Sequence, residues 1–232
     1  MLDDRYALLS PFLTEARRQR FETVLALRTN WVTAVTEDLY DPHNISAVLR
    51  SCDGFGIQSA HIIEANNPFR TSPGVSKGAW KWLDLHRHTD TTHALKKLKA
   101  RGYAICCTTP HTDDTTPEEL PLEKPVALVF GSEGPGISEA AKAEADHFVR
   151  IPMFGFTESF NISVAAALTL QTIVKRVRSS DEIDWRLSKE EHLRLLGDWA
   201  ERTVKDAPGL LDRLRAGVSK SGTPPPFTEA TE

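Results

Sequence analysis

Three short stretches of the 232-residue chain gather side chains that a buried core does not require. The first, Tyr40-Asp41-Pro42-His43-Asn44-Ile45-Ser46-Ala47-Val48-Leu49-Arg50, sets a carboxylate, an imidazole, an amide and a guanidinium around one helix start. A guanidinium held at a pocket mouth grips phosphate through a rigid fork of donors; on a plain surface helix it is an ordinary solvated cation. The second, Phe130-Gly131-Ser132-Glu133-Gly134-Pro135-Gly136-Ile137-Ser138, carries three glycines in six residues. Glycine permits backbone that other residues avoid and lets a ligand come close. The spacing is neither GxxxxGK[ST] nor GxGxxG, which argues against a nucleoside-triphosphate loop and a standard dinucleotide site. Glu133 within it either closes the loop or bonds a ligand amide or hydroxyl. The third, from Ile151 to Leu168, ends its loop at Asn161, a helix cap ahead of a run of small residues against which other backbones can pack closely. Both Asn-Ile-Ser triplets formally match a glycosylation sequon, but the N-terminal segment is acidic and shows no leader pattern, so that reading is set aside.

Each stretch follows a predicted strand and precedes a predicted helix, where open parallel sheets bind their ligands. Residues 31–35, 59–64, 83–86, 103–107, 125–130 and 148–151 read as strands, and 44–55, 92–101, 137–145 and 162–177 as helices. This alternation predicts an α/β domain with a parallel sheet covered on both faces. On the first of these helices Asn44 is expected as the N-cap, with Ile45, Val48, Leu49 and Cys52 as the buried stripe. His43, Ala47 and Arg50 share another face, away from the core. Four segments result: a helical N-terminal extension (1–30), the α/β domain (31–178), a helical C-terminal extension (179–218) and a Pro- and Gly-rich tail (219–232) expected to be disordered. Ser188 and Glu191 form a capping-box pattern that opens the longer C-terminal helix.

Composition narrows the classes. Hydrophobic residues at 40% and charged residues at 26% suit a globular protein with its own core and exclude collagen-like and wholly disordered chains. No apolar run approaches the roughly 20 residues a membrane helix needs. Three cysteines, two of them adjacent, fit buried free thiols in a reducing cytoplasm, and no Cys or His cluster has metal-ligand spacing. The net charge of −4 conceals a basic stretch from Arg70 to Arg101, with eight Lys/Arg against two acids, and an acidic one from Pro110 to Asp146, with nine acids against two Lys. The basic stretch suits a polyanion through salt-sensitive phosphate contacts, or is a solvated face balanced by the acidic one.

Taken together and in order, NISAVLR, FGSEGPGIS and IPMFGFTESFNISVAAAL resemble the three motifs of the SpoU/TrmH family of RNA ribose 2'-O-methyltransferases, within the SPOUT superfamily. The resemblance spans about residues 32–177; each motif alone is weak and the trio is specific. The short N-terminal helix and C-terminal helical extension further resemble the TrmH branch, which methylates guanosine 18 of the tRNA D-loop. The resemblance implies a Rossmann-like parallel sheet with a C-terminal deep trefoil knot, S-adenosylmethionine as cofactor, and a homodimer in which the partner chain completes each active site. It assigns catalysis to Arg50, with Asn44, Glu133, Ser159 and Asn161 as the other polar site residues. It assigns cofactor contacts to Thr108 or Thr109, Gly131, Ile151 and Phe160, with backbone from Met153 and Ser159.

Transfer of a methyl group from a sulfonium to a ribose hydroxyl is an in-line displacement that needs alignment and proton removal but no metal. Arginine is a poor base, so Arg50 is expected to grip the phosphate beside the target ribose and orient the hydroxyl, with Asn44 positioning that pair. RNA grip is expected from Arg17, Arg18, Arg20, His43, Lys77, Lys81, Lys175, Arg176 and Arg178. An rRNA ribose is the alternative target, disfavoured by an N-terminal extension of only about 30 residues. An RNA-binding homologue without catalysis is the other, disfavoured by the joint presence of Arg50, Asn44, Glu133 and Asn161.

Overall fold

The computed structural model describes residues 3–68, 78–110 and 114–218. It divides into two compact units: Arg28–Arg186, and a second that gathers the described residues of both chain ends. Lys77, His111, Asp113 and the tail from 219 lie outside the described residues.

Six strands build the larger unit: β1 (Val32–Glu37), β2 (Ser59–Ile63), β3 (Asp84–His88), β4 (Ala104–Thr108), β5 (Val126–Phe130) and β6 (His147–Val149). They form one sheet in the order β3-β2-β1-β5-β4-β6, and every pairing is parallel. The central strands β1, β2 and β5 are buried along their whole length, as strands covered on both faces must be. Residues alternate between two cores. Val32, Ala34, Cys106, Val126, Leu128 and Phe130 face one cluster, where α3 (Pro42–Phe55) and α6 (Ile162–Ser179) supply Val48, Leu49, Leu170 and Ile173. Val35, Cys107, Ala127 and Val129 face the other, with Leu95 and Leu98 from α4 (Thr91–Ala100) and Ala141 from α5 (Glu139–Glu144). Adjacent cysteines on a strand point to opposite faces, so Cys106 and Cys107 lie in different cores; burial pushes all three thiols up to about 12.

The expected N-cap of α3 needs correction. Asp41, not Asn44, caps it, accepting from the His43 N–H at 2.8 Å, and Pro42 takes the first helical position. Proline is suited there because its φ is preset and its missing N–H has no helical acceptor to lose. The helix therefore begins earlier than predicted and leaves the Asn44 side chain available elsewhere. The stripe Ile45, Val48, Leu49 and Cys52 is buried as the spacing requires. Beneath the far end of α3, the fully buried Arg28 pairs with Asp53 and donates to the Ile57 carbonyl at 3.1 Å.

In the second unit, α1 (Arg5–Leu9) and α2 (Glu15–Leu25) pack with α7 (Lys189–Thr203), and α8 (Ala207–Val218) closes on α1. Ser188 and Glu191 form the capping box at the start of α7. Phe21 meets Trp199 edge to face at 5.5 Å. Arg5 links the ends by bonding Asp198 at 2.7 Å and Glu201 at 2.8 Å.

Three histidines occupy the β2–β3 flank of the sheet. His61 Nδ1 lies 2.9 Å from His88 Nε2, and its ring stacks on His86 at 4.6 Å between centroids. Burial, then the neighbouring His86, His88, Arg101 and Lys97, pushes His61 down to about 3. The unfolded chain, with an ordinary histidine near 6.5, takes up this proton first, so the contribution of His61 is intact above about pH 6.5 and is lost as pH falls toward 3. We expect His61→Gln to flatten the pH dependence of the unfolding free energy from urea titrations in that window by up to about 1.4 kcal/mol per pH unit relative to wild type. Parallel curves for the two proteins would show that His61 takes up its proton in the fold as readily as in the unfolded chain.

Candidate active site

Asn44, freed from capping, stands on the first turn of α3 and donates from Nδ2 to Glu133 Oε1. Its own Oδ1 accepts from Asn161 Nδ2 at 3.3 Å. Asn161 is the N-cap of α6, and its Oδ1 accepts from the Ser163 N–H at 2.9 Å and the Ser163 hydroxyl at 2.6 Å. One side chain from each of the three stretches therefore joins a single hydrogen-bonded relay, Asn161–Asn44–Glu133. Beside it, α3 and α6 border an open cleft of about 490 Å³ lined by Ala47, Arg50, Ser51, Ser163, Val164, Ala167 and Leu168. The short side chains keep it open, and Arg50 is the cation in its lining.

The second stretch is a tight loop at the end of β5. Ser132 and Gly136 close its waist through paired backbone bonds of 3.2 and 2.9 Å. A Cβ on Gly131 would lie 2.3 Å from the Gly136 carbonyl carbon and oxygen, so glycine is obligatory there. Gly134 and Gly136 adopt φ of 98° and 70°, which other residues rarely accept. The loop presents Glu133 at its exposed tip, within reach of Asn44.

The expected cofactor residues sit at neighbouring strand ends. Thr108 is the last residue of β4, Gly131 follows β5 and Ile151 follows β6. The hydroxyl of Thr108 donates to the Val129 carbonyl at 3.0 Å, and the N–H of Thr109 to the Val149 carbonyl at 2.9 Å. Thr109 also donates through its hydroxyl to Asp114. Met153 is half-buried, while Ser159 and Phe160 are exposed on the loop that leads to Asn161. Among the described residues no His, Cys, Asp and Glu group could hold a metal ion, and no helix is long and apolar enough to cross a membrane.

Residues 32–171, which hold all three stretches and the sheet that aligns them, match the SpoU rRNA Methylase family. The chain belongs to this family. It is 36% identical over 202 residues to a tRNA (guanosine(18)-2'-O)-methyltransferase of Borreliella burgdorferi, spanning 87% of this chain and 92% of that relative. It is 38% identical over 190 residues to the enzyme of the same name from Thermus thermophilus, spanning 82% of this chain and 98% of the relative. Among solved structures, the Aquifex aeolicus TrmH/SpoU tRNA modifying enzyme aligns with a TM-score of 0.75 at 28% identity, over 82% of this chain and 98% of that one.

Within this SpoU-family fold the expected RNA residues have unequal surroundings. Arg17 and Arg20 are exposed on α2, as are His43 at the start of α3 and Lys175 on α6. Lys81 lies 6.0 Å from the Trp80 ring centroid. Arg18 instead pairs with Glu15 at 2.6 Å and donates to the Ser10 carbonyl. Arg176 donates to the carbonyls of Pro117 and Leu120, both at 2.8 Å, and so fastens that loop. Arg178 donates to the Phe55 carbonyl at 2.9 Å and stacks over Trp185.

Two acids at the end of β1 escaped the motif reading. Asp38, at φ 54°, accepts from the N–H groups of Asn66 and Asn67, both at 2.8 Å, and from the Asn66 side chain. Burial raises its carboxyl, but those three donors outweigh burial and hold it below the ordinary aspartate range. Glu37 is buried beside it. The one available signal was charge at the end of an otherwise uncharged strand, just ahead of the first stretch.

Gly131→Ala should break the waist of the loop, at about 1–3 kcal/mol of stability, and part Glu133 from Asn44. Gly54→Ala, in helix α3 with nothing within 4 Å of the added Cβ, should instead stabilise by about 0.5–1 kcal/mol. Denaturant midpoints of both variants check this; equal effects would mean the loop yields freely.

Proposed function

We propose that this SpoU-family chain is an S-adenosylmethionine-dependent methyltransferase acting on the 2'-hydroxyl of guanosine 18 in tRNA. The carrying observation is the Asn161–Asn44–Glu133 relay, which ties all three family motifs together beside the Arg50 cleft. The names and near-full-length coverage of the Borreliella and Thermus relatives support the choice of tRNA.

The strand ends suit the cofactor. Thr108 ends β4, and Gly131 and Ile151 follow the neighbouring strands β5 and β6, so one edge offers backbone donors and acceptors together with the apolar surfaces of Ile151, Met153 and Phe160. That mixed set fits an adenine and a methionyl chain. When bound, S-adenosylmethionine supplies a methyl group already activated by its sulfonium charge. The protein must then align the ribose oxygen and assist loss of its proton. Arg50 grips the phosphate next to the target ribose, and the resulting charge pair orients the hydroxyl for in-line attack. Asn44, held from both sides, fixes the position of that phosphate, and Ser159 lines the same site from the third stretch.

We read the active unit as a homodimer. Phe154 and Phe156 are fully exposed, and Phe160, Val164 and Leu168 partly so, all along the third stretch and the outer face of α6. A second copy that covers this apolar surface also completes the cleft. The trefoil knot belongs to the same reading, as do Arg17, Arg20, His43, Lys77, Lys81 and Lys175 as phosphate contacts in a cytoplasmic enzyme.

Methylation of unmodified tRNA transcripts with labelled cofactor, followed by mapping of the altered nucleotide, tests the assignment. Label at guanosine 18 is expected; unlabelled tRNA beside labelled rRNA in a parallel reaction would overturn it. Arg50→Ala should lower turnover by roughly 10²–10⁴-fold with the cofactor Kd unchanged. If cofactor affinity fell in parallel with turnover, Arg50 would be part of the cofactor pocket and its proposed role would be wrong.

A further inference from the structure

Strand β1 runs Val32, Thr33, Ala34, Val35, Thr36 and then ends on a carboxylate, Glu37, only 3% exposed. A buried carboxylate is costly unless donors surround it. Glu37 Oε2 accepts from the Ser138 N–H at 3.0 Å, and Oε1 accepts from the Ser138 hydroxyl at 2.6 Å and the Thr91 hydroxyl at 2.8 Å. Thr91 begins α4 and Ser138 caps α5, so the carboxylate meets two helix N-termini, where negative charge is favoured. Ser138 also closes the far end of the glycine loop. The near end of that loop, Phe130, pairs in register with Thr36. Consecutive residues of β1 thus hold both ends of the loop that carries Gly131 and Glu133, and the chain that leaves β1 leads into helix α3, which carries Asn44.

Building on the methyltransferase reading, we infer that Glu37 is a positioning residue for the reaction. It sets the glycine loop against the first stretch and thereby fixes both the cofactor edge and the Asn44–Glu133 bond. A glutamine at this place keeps the volume but removes the charge, and its amide can meet the Ser138 and Thr91 hydroxyls only if both turn to accept, so the charge-assisted bonds at the two helix starts are lost. Glu37→Gln should weaken S-adenosylmethionine binding about tenfold and lower kcat about tenfold, with the KM for tRNA unchanged. Ser138→Ala should shift the same two quantities in the same direction. Ser138→Thr, which keeps the hydroxyl, should restore them. Glu139→Gln, which neutralises the exposed neighbouring carboxylate, should match wild type.

Cofactor titration calorimetry and steady-state methylation on the full chain read all four variants, with circular dichroism to confirm folding. A folded Glu37→Gln with wild-type cofactor affinity and kcat overturns the inference. So does a uniform loss that includes the KM for tRNA, which marks general damage. If Glu37→Gln fails to fold, Ser138→Ala against Ser138→Thr decides, and equal behaviour of that pair overturns it. A wild-type chain that binds cofactor but leaves tRNA unmethylated defeats the functional reading instead, and the cofactor Kd still reports on Glu37.

Discussion

Asn44 donates to Glu133 and accepts from Asn161, and this doubly held amide is the constraint from which the rest of the site follows. A primary amide has a donor end and an acceptor end, so it is fixed in orientation only when both are engaged. Both partners come from distant parts of the chain, which demands that three loops end within one hydrogen-bond length of each other. The parallel sheet meets that demand, because β1, β5 and the segment beyond β6 all emerge on the same side. The glycine loop brings Glu133 into range through a waist that leaves no room for a Cβ at Gly131. The Asp41-Pro42 start of α3 leaves Asn44 unspent on capping.

The scaffold around the relay is stiff for ordinary reasons. Each central strand is buried on both faces, and the two cores are filled by different helices. Several polar groups taken into this interior are matched: Glu37 by three donors, Arg28 by Asp53 and the Ile57 carbonyl, Thr29 by the Trp185 carbonyl at 2.6 Å; the Thr36 and Thr169 hydroxyls are buried without a hydrogen-bond partner among the described residues. Such pairing stabilises position more than it adds stability, since the desolvation of each charge offsets much of the attraction. Loops that carry chemistry gain most from this, because fixed partners let them stay exposed without wandering.

The exposed side of the site has the opposite character. Arg50, Glu133 and Asn161 are exposed, and the neighbouring Phe154 and Phe156 face outward with no cover. A polar relay preceded in the third stretch by uncovered aromatics is suited to close against something apolar on one side and ionic on the other. The proposed second copy and the proposed RNA phosphate are of those two kinds. The Lys-rich α4 packs on the opposite core, and Lys96 and Lys99 from the basic stretch pair with Glu144 and Asp146 from the acidic one.

Much of the fold was legible in the sequence, because its signals are local. Hydrophobic alternation, the glycine spacing, the small residues after Asn161 and the Ser188–Glu191 pair each act within a few residues and each marked its element. The three motifs were legible for the same reason, as was the presence of polar groups in excess of what a core needs. The cap of α3 was misread, since Asp41 and Asn44 are equally good caps by type and only the position of Pro42 separates them. Which amide meets which carboxylate, that Arg176 fastens a loop, and that Glu37 serves Ser138 and Thr91 were left to the tertiary structure. These are contacts across 50 or more residues of chain, set by strand order and register, and neither is encoded in any local pattern.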